Sequence, residues 1–333
     1  MVGRRLFAAG FFVLVLTTAG AAWLHHVLWG VRTAHTVELE IESGASVRQI
    51  FSVLHEEGLL PSQAAARIYL RARARGRALR YGHYLFPSGS RPVDILEKVL
   101  EGSVEIFSVT VVEGSDAAVI GHEFAALGVG TPAEWQVLSS RTDWLGSLAP
   151  EAPSLEGFLF PDTYIFPVGI SAEATAHHLF TRFLNVWKEE AETTEEQWGT
   201  PLEVVTLASL VEAETSLPQE RARVAGVYLK RLRRGMLLQC DPTVVYALKR
   251  REEWTGRLLR IHWEVEDSYN TYRYPGLPPG PINSPGRAAI VAAMHPEPTP
   301  YLYFVARPGG GHTFSRTLDE HNRAVAELRR SHR

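Results

Sequence analysis

The chain has 333 residues, of which 45% are hydrophobic and 21% charged, as in folded globular proteins of more than one average domain. A net charge of −3 provides no overall basic field, so a nucleic-acid partner is not expected. The single cysteine, Cys240, excludes an internal disulfide and a cysteine-based zinc cluster.

The N-terminal segment is apolar. Residues 6–29 contain no Asp, Glu, Lys or Arg, and 24 residues are enough for a helix that spans a bilayer core. Arg4 and Arg5 precede the segment, which favours a cytoplasmic N-terminus. A cleaved signal peptide is the alternative, because residues 6–16 have the length of its apolar core. The apolar character outlasts that length, so residues 1–34 are predicted to be a cytoplasmic stub and a single transmembrane anchor in the inner (plasma) membrane. Either interpretation places the rest of the chain outside the cytoplasm.

A small α/β unit follows in residues 35–105. Residues 36–41 alternate polar and apolar side chains with the period of a half-buried strand. Ser46 and Gln49 form a capping box, which predicts that a helix begins there. The unit is predicted to contain a strand, two helices and a second strand over residues 36–41, 46–58, 61–75 and 81–86.

Residues 106–333 are predicted to form a larger, mostly helical α+β domain. Its most informative helix begins at Thr200, where Thr200, Pro201 and Glu203 supply an N-cap, a proline at the first position and a capping glutamate. Pro218 stops or restarts this helix. A β-hairpin is predicted around the three glycines at residues 309–311. The predicted fold class is therefore α+β, with a transmembrane helix at the N-terminus.

Two carboxylates lie near the end of the helix that begins at Thr200. At about 100° per residue, Glu214 falls roughly 70° from the centre of the apolar face, and Glu212 falls about 90° away on the other flank. Residues i and i+2 do not face each other, so these two cannot act as a close carboxylate pair. A carboxylate beside an apolar face is partly desolvated, which raises its pKa as a general acid at neutral pH requires. The alternative is that both glutamates are solvated surface residues.

Longer motifs in the same region point to a known family. The helix reads T-L-A-S-L-V-E-A-E-T, and L-Q-C-D-P-T follows it at residues 238–243. Further motifs are Y-N-T-Y at 269–272, G-L-P-P-G-P-I at 276–282, G-H-T-F at 311–314 and, upstream, E-G at 156–157 with F-P-D-T-Y at 160–164. Together they resemble the motifs of the endolytic murein transglycosylase (YceG-like) family, and the resemblance covers roughly residues 35–330.

The resemblance implies that Glu214, the second glutamate of the E-x-E motif, is catalytic. It implies cleavage of the β-1,4 bond between N-acetylmuramic acid and N-acetylglucosamine inside peptidoglycan glycan strands. Glu214 would protonate the glycosidic oxygen and then deprotonate the muramic 6-hydroxyl, which closes a 1,6-anhydro ring without water. Because this nucleophile is intramolecular, one carboxylate suffices, whereas most glycosidases need two. The implied enzyme is a lyase without a cofactor.

The family motifs also imply which residues surround Glu214. Six are predicted to bind sugar or to orient the catalytic carboxyl: Gln239, Asp241, Tyr269, Asn270, Thr271 and Tyr272. The alternative for Asp241 is a simple helix cap, and the alternative for residues 269–272 is a packed structural loop. Glu156 is either a second polar group near the site or a structural residue. Cys240 is assigned no role.

Other consequences of the sequence concern metals, partners and rival functions. The spacings of the three histidines considered as metal ligands match no zinc motif, so no metal is expected at His295, His312 or His321. The resemblance further implies that residues 35–105 are a LysM-like subdomain that contacts glycan. It also implies work beside peptidoglycan synthases, where the enzyme would terminate growing strands. A non-catalytic wall-binding protein and a hydrolase that yields reducing ends remain as alternatives.

Overall fold

The structure, a computed structural model, describes residues 2–42, 44–74, 78–194 and 198–331. It is a mixed α+β fold and divides into two compact units. Unit 1 comprises Met1–Ser108 and Ile165–Ile170, and unit 2 comprises Val109–Tyr164 and Ser171–Arg333. The division into residues 1–34, 35–105 and 106–333 stays a prediction.

The predicted transmembrane helix is wrong. In the ranges that the structure describes, no helix is both long enough and apolar enough to cross a membrane. Helix α1 (Val2–His25) ends before the apolar segment does, and a π-helical turn, His26–Gly30, follows it. Val27 and Leu28 in that turn are buried in the core of unit 1. The end of the apolar segment therefore packs against protein, and hydropathy alone does not distinguish that burial from burial in lipid.

Unit 1 has the predicted order of elements after this segment. Strand β1 and strand β2 pair antiparallel, with Val37 opposite Phe86 and Ile41 opposite Gly82. The capping box of Ser46 and Gln49 is confirmed. The second predicted helix ends earlier than expected, and Arg75 lies outside the described residues. The elements are β1 (Val37–Ile41), α2 (Val47–Glu56), α3 (Gln63–Arg73), β2 (Gly82–Phe86) and α4 (Pro92–Glu101).

The remaining elements are mostly helices. Two strands, β3 (Ile106–Thr110) and β4 (Thr163–Pro167), pair with each other. The predicted hairpin near the C-terminus is confirmed and places Tyr303 opposite Ser315. The other elements are α5 (Ala117–Ala126), α6 (Pro132–Ser139), α7 (Ala172–Glu192), α8 (Pro201–Glu214), α9 (Pro218–Arg233), α10 (Asp241–Arg250), α11 (Arg287–Met294), β5 (Tyr303–Ala306), β6 (His312–Ser315) and α12 (Leu318–Ser331).

Helix α8 lies at the centre of unit 2. It packs against α9, α10 and α11, and every residue from Val204 to Val211 is buried. The helix is therefore buried on all sides over this stretch, whereas the sequence pattern was interpreted as a single apolar face. Small residues such as Ala208 and Ser209 complete the buried surface. As a consequence, the two glutamates at the end of α8 directly follow a stretch of helix that is buried in the core.

Candidate active site

Glu214 is the last residue of α8. The helix ends there because Thr215 has an extended backbone, with φ −145°, and α9 begins at Pro218. The half-buried Glu214 carboxyl accepts a hydrogen bond of 2.7 Å at Oε1 from the hydroxyl of Tyr228. Burial raises the pKa of Glu214, while Tyr228 and Cys240 act in the opposite direction. The partial negative charge at a helix C-terminus also disfavours an ionised carboxyl at this position. Such a group is suited to donate a proton near neutral pH.

Two residues that the sequence did not indicate hold the Glu214 carboxyl. Tyr228, on α9, is fully buried, and its ring meets that of Phe304 edge-to-face at a centroid distance of 5.6 Å. The Cys240 thiol is also fully buried and lies beside both Glu214 and Tyr228. Cys240 had been assigned no role because it takes a variable position in the family motif. No local signal marks Tyr228, since its contact with Glu214 depends on how α9 packs on α8.

Asp241 connects α10 to an aromatic pair. Its Oδ1 accepts hydrogen bonds from the Tyr272 hydroxyl at 2.7 Å and from Trp263 Nε1 at 3.1 Å. The rings of Trp263 and Tyr272 stack at 5.1 Å with an angle of 11° between their planes. The charge of Asp241 raises the pKa of Glu214. Asp241 is the first residue of α10 and its backbone is not the N-cap, so the simple capping alternative does not describe it.

Asn270 and Thr271 hold the loop itself together. The buried Asn270 amide donates to the carbonyls of Trp263 at 2.9 Å and Val265 at 2.8 Å. Thr271 Oγ1 accepts from the backbone N–H of Cys240 at 3.0 Å. These bonds attach the loop to the turn that precedes α10. Asn270 and Thr271 therefore have the packing role that was the alternative to sugar binding. Contact of Asn270 and Thr271 with a substrate stays a prediction.

Gln239 and Tyr269 lie in different surroundings. Gln239 is exposed and has a left-handed backbone, with φ 53°, and its N–H donates to the carbonyl of Thr271 at 3.1 Å. This turn exposes Gln239 while the next side chain, Cys240, is buried. Tyr269 is buried with its ring 4.9 Å from that of Tyr246. It lines a cavity that is also lined by the buried acid Glu156. The structure therefore groups Asp241 and Tyr272, but it places Tyr269 with Glu156.

Glu212 has a role distinct from that of Glu214. Its Oε1 lies 3.1 Å from Nη2 of Arg221, and its Oε2 accepts the backbone N–H of Gly286 at 3.0 Å. Burial raises the pKa of Glu212. The pair is almost inaccessible, with side-chain exposures of 7% for Glu212 and 10% for Arg221. Glu212 thus connects α8 to α9 and to the residue before α11. The inference that the two carboxylates diverge is confirmed, because they bind different partners.

His312 forms a dyad with Glu220. Its Nδ1 lies 2.7 Å from Glu220 Oε2, and its backbone N–H donates to Oε1 at 2.9 Å. A side chain at Gly311 would place its Cβ only 2.6 Å from Glu220 Oε1, so this approach requires glycine. The imidazole meets the Phe304 ring at 5.2 Å and helps to lower the pKa of Glu214. In the sequence, His312 is part of the G-H-T-F motif and was weighed as a metal ligand, but nothing there indicated its contact with Glu220.

Metal binding finds no support within the part of the chain that the structure describes. No group of three or more His, Cys, Asp or Glu residues is arranged there to hold a metal ion. His321 stacks on Tyr303 at 5.4 Å, and His295 Nε2 lies 3.2 Å from the hydroxyl of Thr194. These histidines therefore take part in packing and hydrogen bonding.

Comparison with known proteins identifies the family. The model of the YceG-like family matches residues 39–327. The chain belongs to the YceG-like family. The resemblance inferred from the motifs is thereby confirmed, and the YceG-like region contains α8, the E-x-E motif and the loop that carries Tyr272.

Named relatives agree with this assignment. An endolytic murein transglycosylase of Bacillus subtilis is 31% identical over 311 residues, which cover 87% of this YceG-like chain and 84% of the relative. One of Streptococcus pneumoniae is 25% identical over 320 residues, and the chain spans 58% of that relative's length. A crystal structure of a YceG-like protein from Listeria monocytogenes is similar with a TM-score of 0.57 at 28% identity, over 87% of this chain and 99% of that one.

Proposed function

We propose that this YceG-like protein is an endolytic lytic transglycosylase of peptidoglycan. It cleaves the β-1,4 bond between N-acetylmuramic acid and N-acetylglucosamine within glycan strands and leaves 1,6-anhydro ends. The observation that carries the proposal is the half-buried Glu214 carboxyl with its raised pKa, at the end of a helix. The names of the relatives from Bacillus subtilis and Streptococcus pneumoniae support it.

One carboxyl performs both proton transfers in this reaction. Glu214 starts protonated and donates its proton to the glycosidic oxygen as the bond from that oxygen to C1 of muramic acid breaks. The resulting carboxylate removes the proton of the 6-hydroxyl, whose oxygen forms the new bond to C1. Glu214 ends protonated, and no water is consumed. The Tyr228 hydroxyl donates to Glu214 Oε1 and thereby holds the carboxyl in place for both transfers.

The surroundings of Glu214 fit a mechanism with a single carboxylate. Glu212, the other acid at the end of α8, is engaged by Arg221 and Gly286. Asp241 is held by Tyr272 and Trp263, whose partly exposed rings offer a stacking surface for sugars. We therefore propose that Asp241, Tyr272 and Gln239 contact the glycan. A hydrolytic glycosidase needs a second carboxylate beside the bond, as nucleophile or as base for water.

The nature of the product tests this proposal. Purified glycan strands are digested in H₂¹⁸O, and the new ends are identified by mass spectrometry. We expect internal cleavage that produces anhydromuramyl ends without ¹⁸O, because the ring closes on the 6-hydroxyl. Reducing ends that carry ¹⁸O would identify a hydrolase and contradict the transglycosylase. Binding of strands without cleavage would favour a non-catalytic wall-binding protein.

A Tyr228→Phe substitution tests the environment of the acid. The hydrogen bond from Tyr228 stabilises the ionised carboxyl, so its loss should raise the pKa of Glu214 further. Hydrogen bonds to charged groups correspond to about one to two pKa units. We expect the alkaline limb of the kcat–pH profile to move upward by about one unit. Tyr164→Phe is a matched control, because the Tyr164 hydroxyl bonds the carbonyl of Phe160 instead. An unchanged limb in Tyr228→Phe would show that this contact does not tune the acid.

Location and partners follow from the substrate. We propose that the protein acts outside the cytoplasm, where glycan strands are assembled into the wall. Glycan binding by the LysM-like unit of residues 35–105 stays a prediction from the family resemblance. Termination of growing strands beside peptidoglycan synthases is a prediction of the same kind.

A further inference from the structure

The cavity that Tyr269 and Glu156 line lies in unit 2, between residues of α5, α6 and α10. Its volume is about 760 Å³, which is within the range of cavities that hold small ligands. Polar and apolar side chains both contribute to its wall. Glu156, Tyr246 and Tyr269 line it together with Arg250. The proposed mechanism at Glu214 uses none of these four residues.

Glu156 supplies a neutral acid to this wall. Its side chain is buried, and its oxygens accept the backbone N–H of Ala117 at 3.0 and 3.2 Å. The Tyr246 hydroxyl lies 3.1 Å from Oε2. Burial raises the pKa of Glu156 to about 8. The carboxyl is therefore mostly protonated at neutral pH, so it does not repel an anion that enters the cavity.

The cationic groups of the wall differ in whether they have partners. Lys249 Nζ lies 2.8 Å from Asp116 Oδ2, so these two charges compensate each other. The Arg250 guanidinium lies over the rings of Tyr269 at 4.8 Å and Tyr246 at 5.9 Å. Among the residues that the structure describes, none forms a hydrogen bond or an ion pair with Arg250.

An arginine in this position is suited to bind a carboxylate. Its N–H donors form a planar fork that matches the two oxygens of a carboxylate. Stacking on two tyrosine rings holds that fork in place and leaves its edge available. The remaining charged group of the wall, Glu252, is an exposed carboxylate beyond the end of α10. A ligand that carries both a carboxylate and N–H donors would match these groups.

Two segments connect this cavity to the Glu214 site. Helix α10 begins with Asp241, whose charge acts on Glu214, and ends with Arg250, so its two ends are about 13 Å apart. The loop of residues 269–272 places Tyr272 on Asp241 and Tyr269 in the cavity. A glycan bound beside Glu214 would thus have the cavity within reach of its side groups. In peptidoglycan, the side group of muramic acid is a peptide stem that carries carboxylates.

We propose that this cavity binds a carboxylate of the peptide stem of peptidoglycan, with Arg250 as the anion-binding residue. Tyr246 and Tyr269 provide the walls, and Glu156 adds a neutral acid to them. The inference rests on the proposed function, because a glycan held at Glu214 is what brings a peptide to this position. It makes Arg250 a determinant of specificity for strands that carry peptides over bare glycan.

The test compares two substrates and two arginines. Uncrosslinked glycan strands are used with their peptides, or after an amidase has removed the peptides, and kcat/KM is measured from anhydromuramyl ends. We expect Arg250→Gln to lower kcat/KM about tenfold on peptide-bearing strands and to leave bare strands unaffected. Arg250→Lys keeps the positive charge but loses the planar fork, so its kcat/KM on peptide-bearing strands should lie between those of the parent and of Arg250→Gln. Arg251→Gln is the matched control, because Arg251 is the next residue and pairs with Glu253 at 2.8 Å.

A binding measurement separates this inference from the proposed function. Free stem peptide is titrated calorimetrically into the parent protein and into Arg250→Gln. We expect saturable binding to the parent and a loss of about tenfold or more in the variant. Equal loss of activity on both substrates, or equal peptide binding by parent and variant, would overturn the cavity assignment. A parent that binds peptide but forms no anhydro ends would contradict the proposed function and leave the cavity assignment standing.

Discussion

Replacement of Glu214 by Gln is expected to reduce the formation of anhydromuramyl ends about a thousandfold. Glutamine has nearly the same shape but can neither donate a proton to the glycosidic oxygen nor remove one from the 6-hydroxyl. Because Glu214 is half-buried with a raised pKa, the neutral amide should not destabilise the fold. The measurement is kcat on purified strands, with thermal unfolding of the variant recorded alongside.

Glu203→Gln is the matched control for this substitution. Glu203 lies on the same helix, at the opposite end, and its carboxylate caps the backbone N–H of Thr200 at 2.7 Å. Glutamine also serves in a capping box, so activity and stability should remain close to those of the parent. A Glu214→Gln variant with parental kcat would locate the acid elsewhere and make our assignment wrong.

Replacement of Glu156 by Gln is expected to remove a large part of the pH dependence of stability. The pKa of Glu156 is about 8 in the folded protein, against a usual value of 4.5. Below pH 4.5 the carboxyl is protonated in both the folded and the unfolded chain, and its burial costs no stability. As the pH rises towards 8, the unfolded chain ionises more readily than the folded one, so the free energy of unfolding falls. At about 1.4 kcal/mol per pKa unit, the loss reaches about 5 kcal/mol. The variant should lack this decline, so the difference in unfolding free energy, variant minus parent, should become more positive from pH 5 to pH 8.

Urea unfolding at several pH values measures this effect. Glu151→Gln provides the comparison, because Glu151 is an exposed acid five residues away along the chain. That variant should follow the parent at every pH. If Glu156→Gln also followed the parent, the Glu156 carboxyl would be ionised in the folded protein. The neutral wall that we assign to the cavity around Glu156 would then be incorrect.

Local chemistry explains which parts of this fold the sequence predicted well. The capping box of Ser46 and Gln49 and that of Thr200 and Glu203 depend on residues three apart, and both helices begin where these pairs indicate. The hairpin of β5 and β6 likewise depends on adjacent glycines. The membrane anchor was wrong for a different reason. The hydropathy of Val27 and Leu28 predicts that they are buried, but it does not show that the core of unit 1, rather than lipid, buries them.

The candidate site shows the same division between local and long-range information. The motif indicated Glu214 and Asp241, whose positions at a helix end and a helix start can be inferred from nearby prolines. Tyr228 and Trp263 were missed because their contacts join separate elements of the fold. Asn270 looked suited to sugars in the sequence, whereas its amide bonds two backbone carbonyls of its own loop.

The burial of Cys240 has a practical consequence. It is the only thiol in the chain, its side chain is fully buried, and it lies beside Glu214 and Tyr228. A thiol reagent can modify it only after the segment before α10 has separated from α8 and α9. The rate of labelling of the unmodified protein therefore measures how often its catalytic centre opens. A glycan that holds the centre closed would slow the labelling in proportion to its occupancy, which gives an assay of substrate binding that needs neither turnover nor an engineered probe.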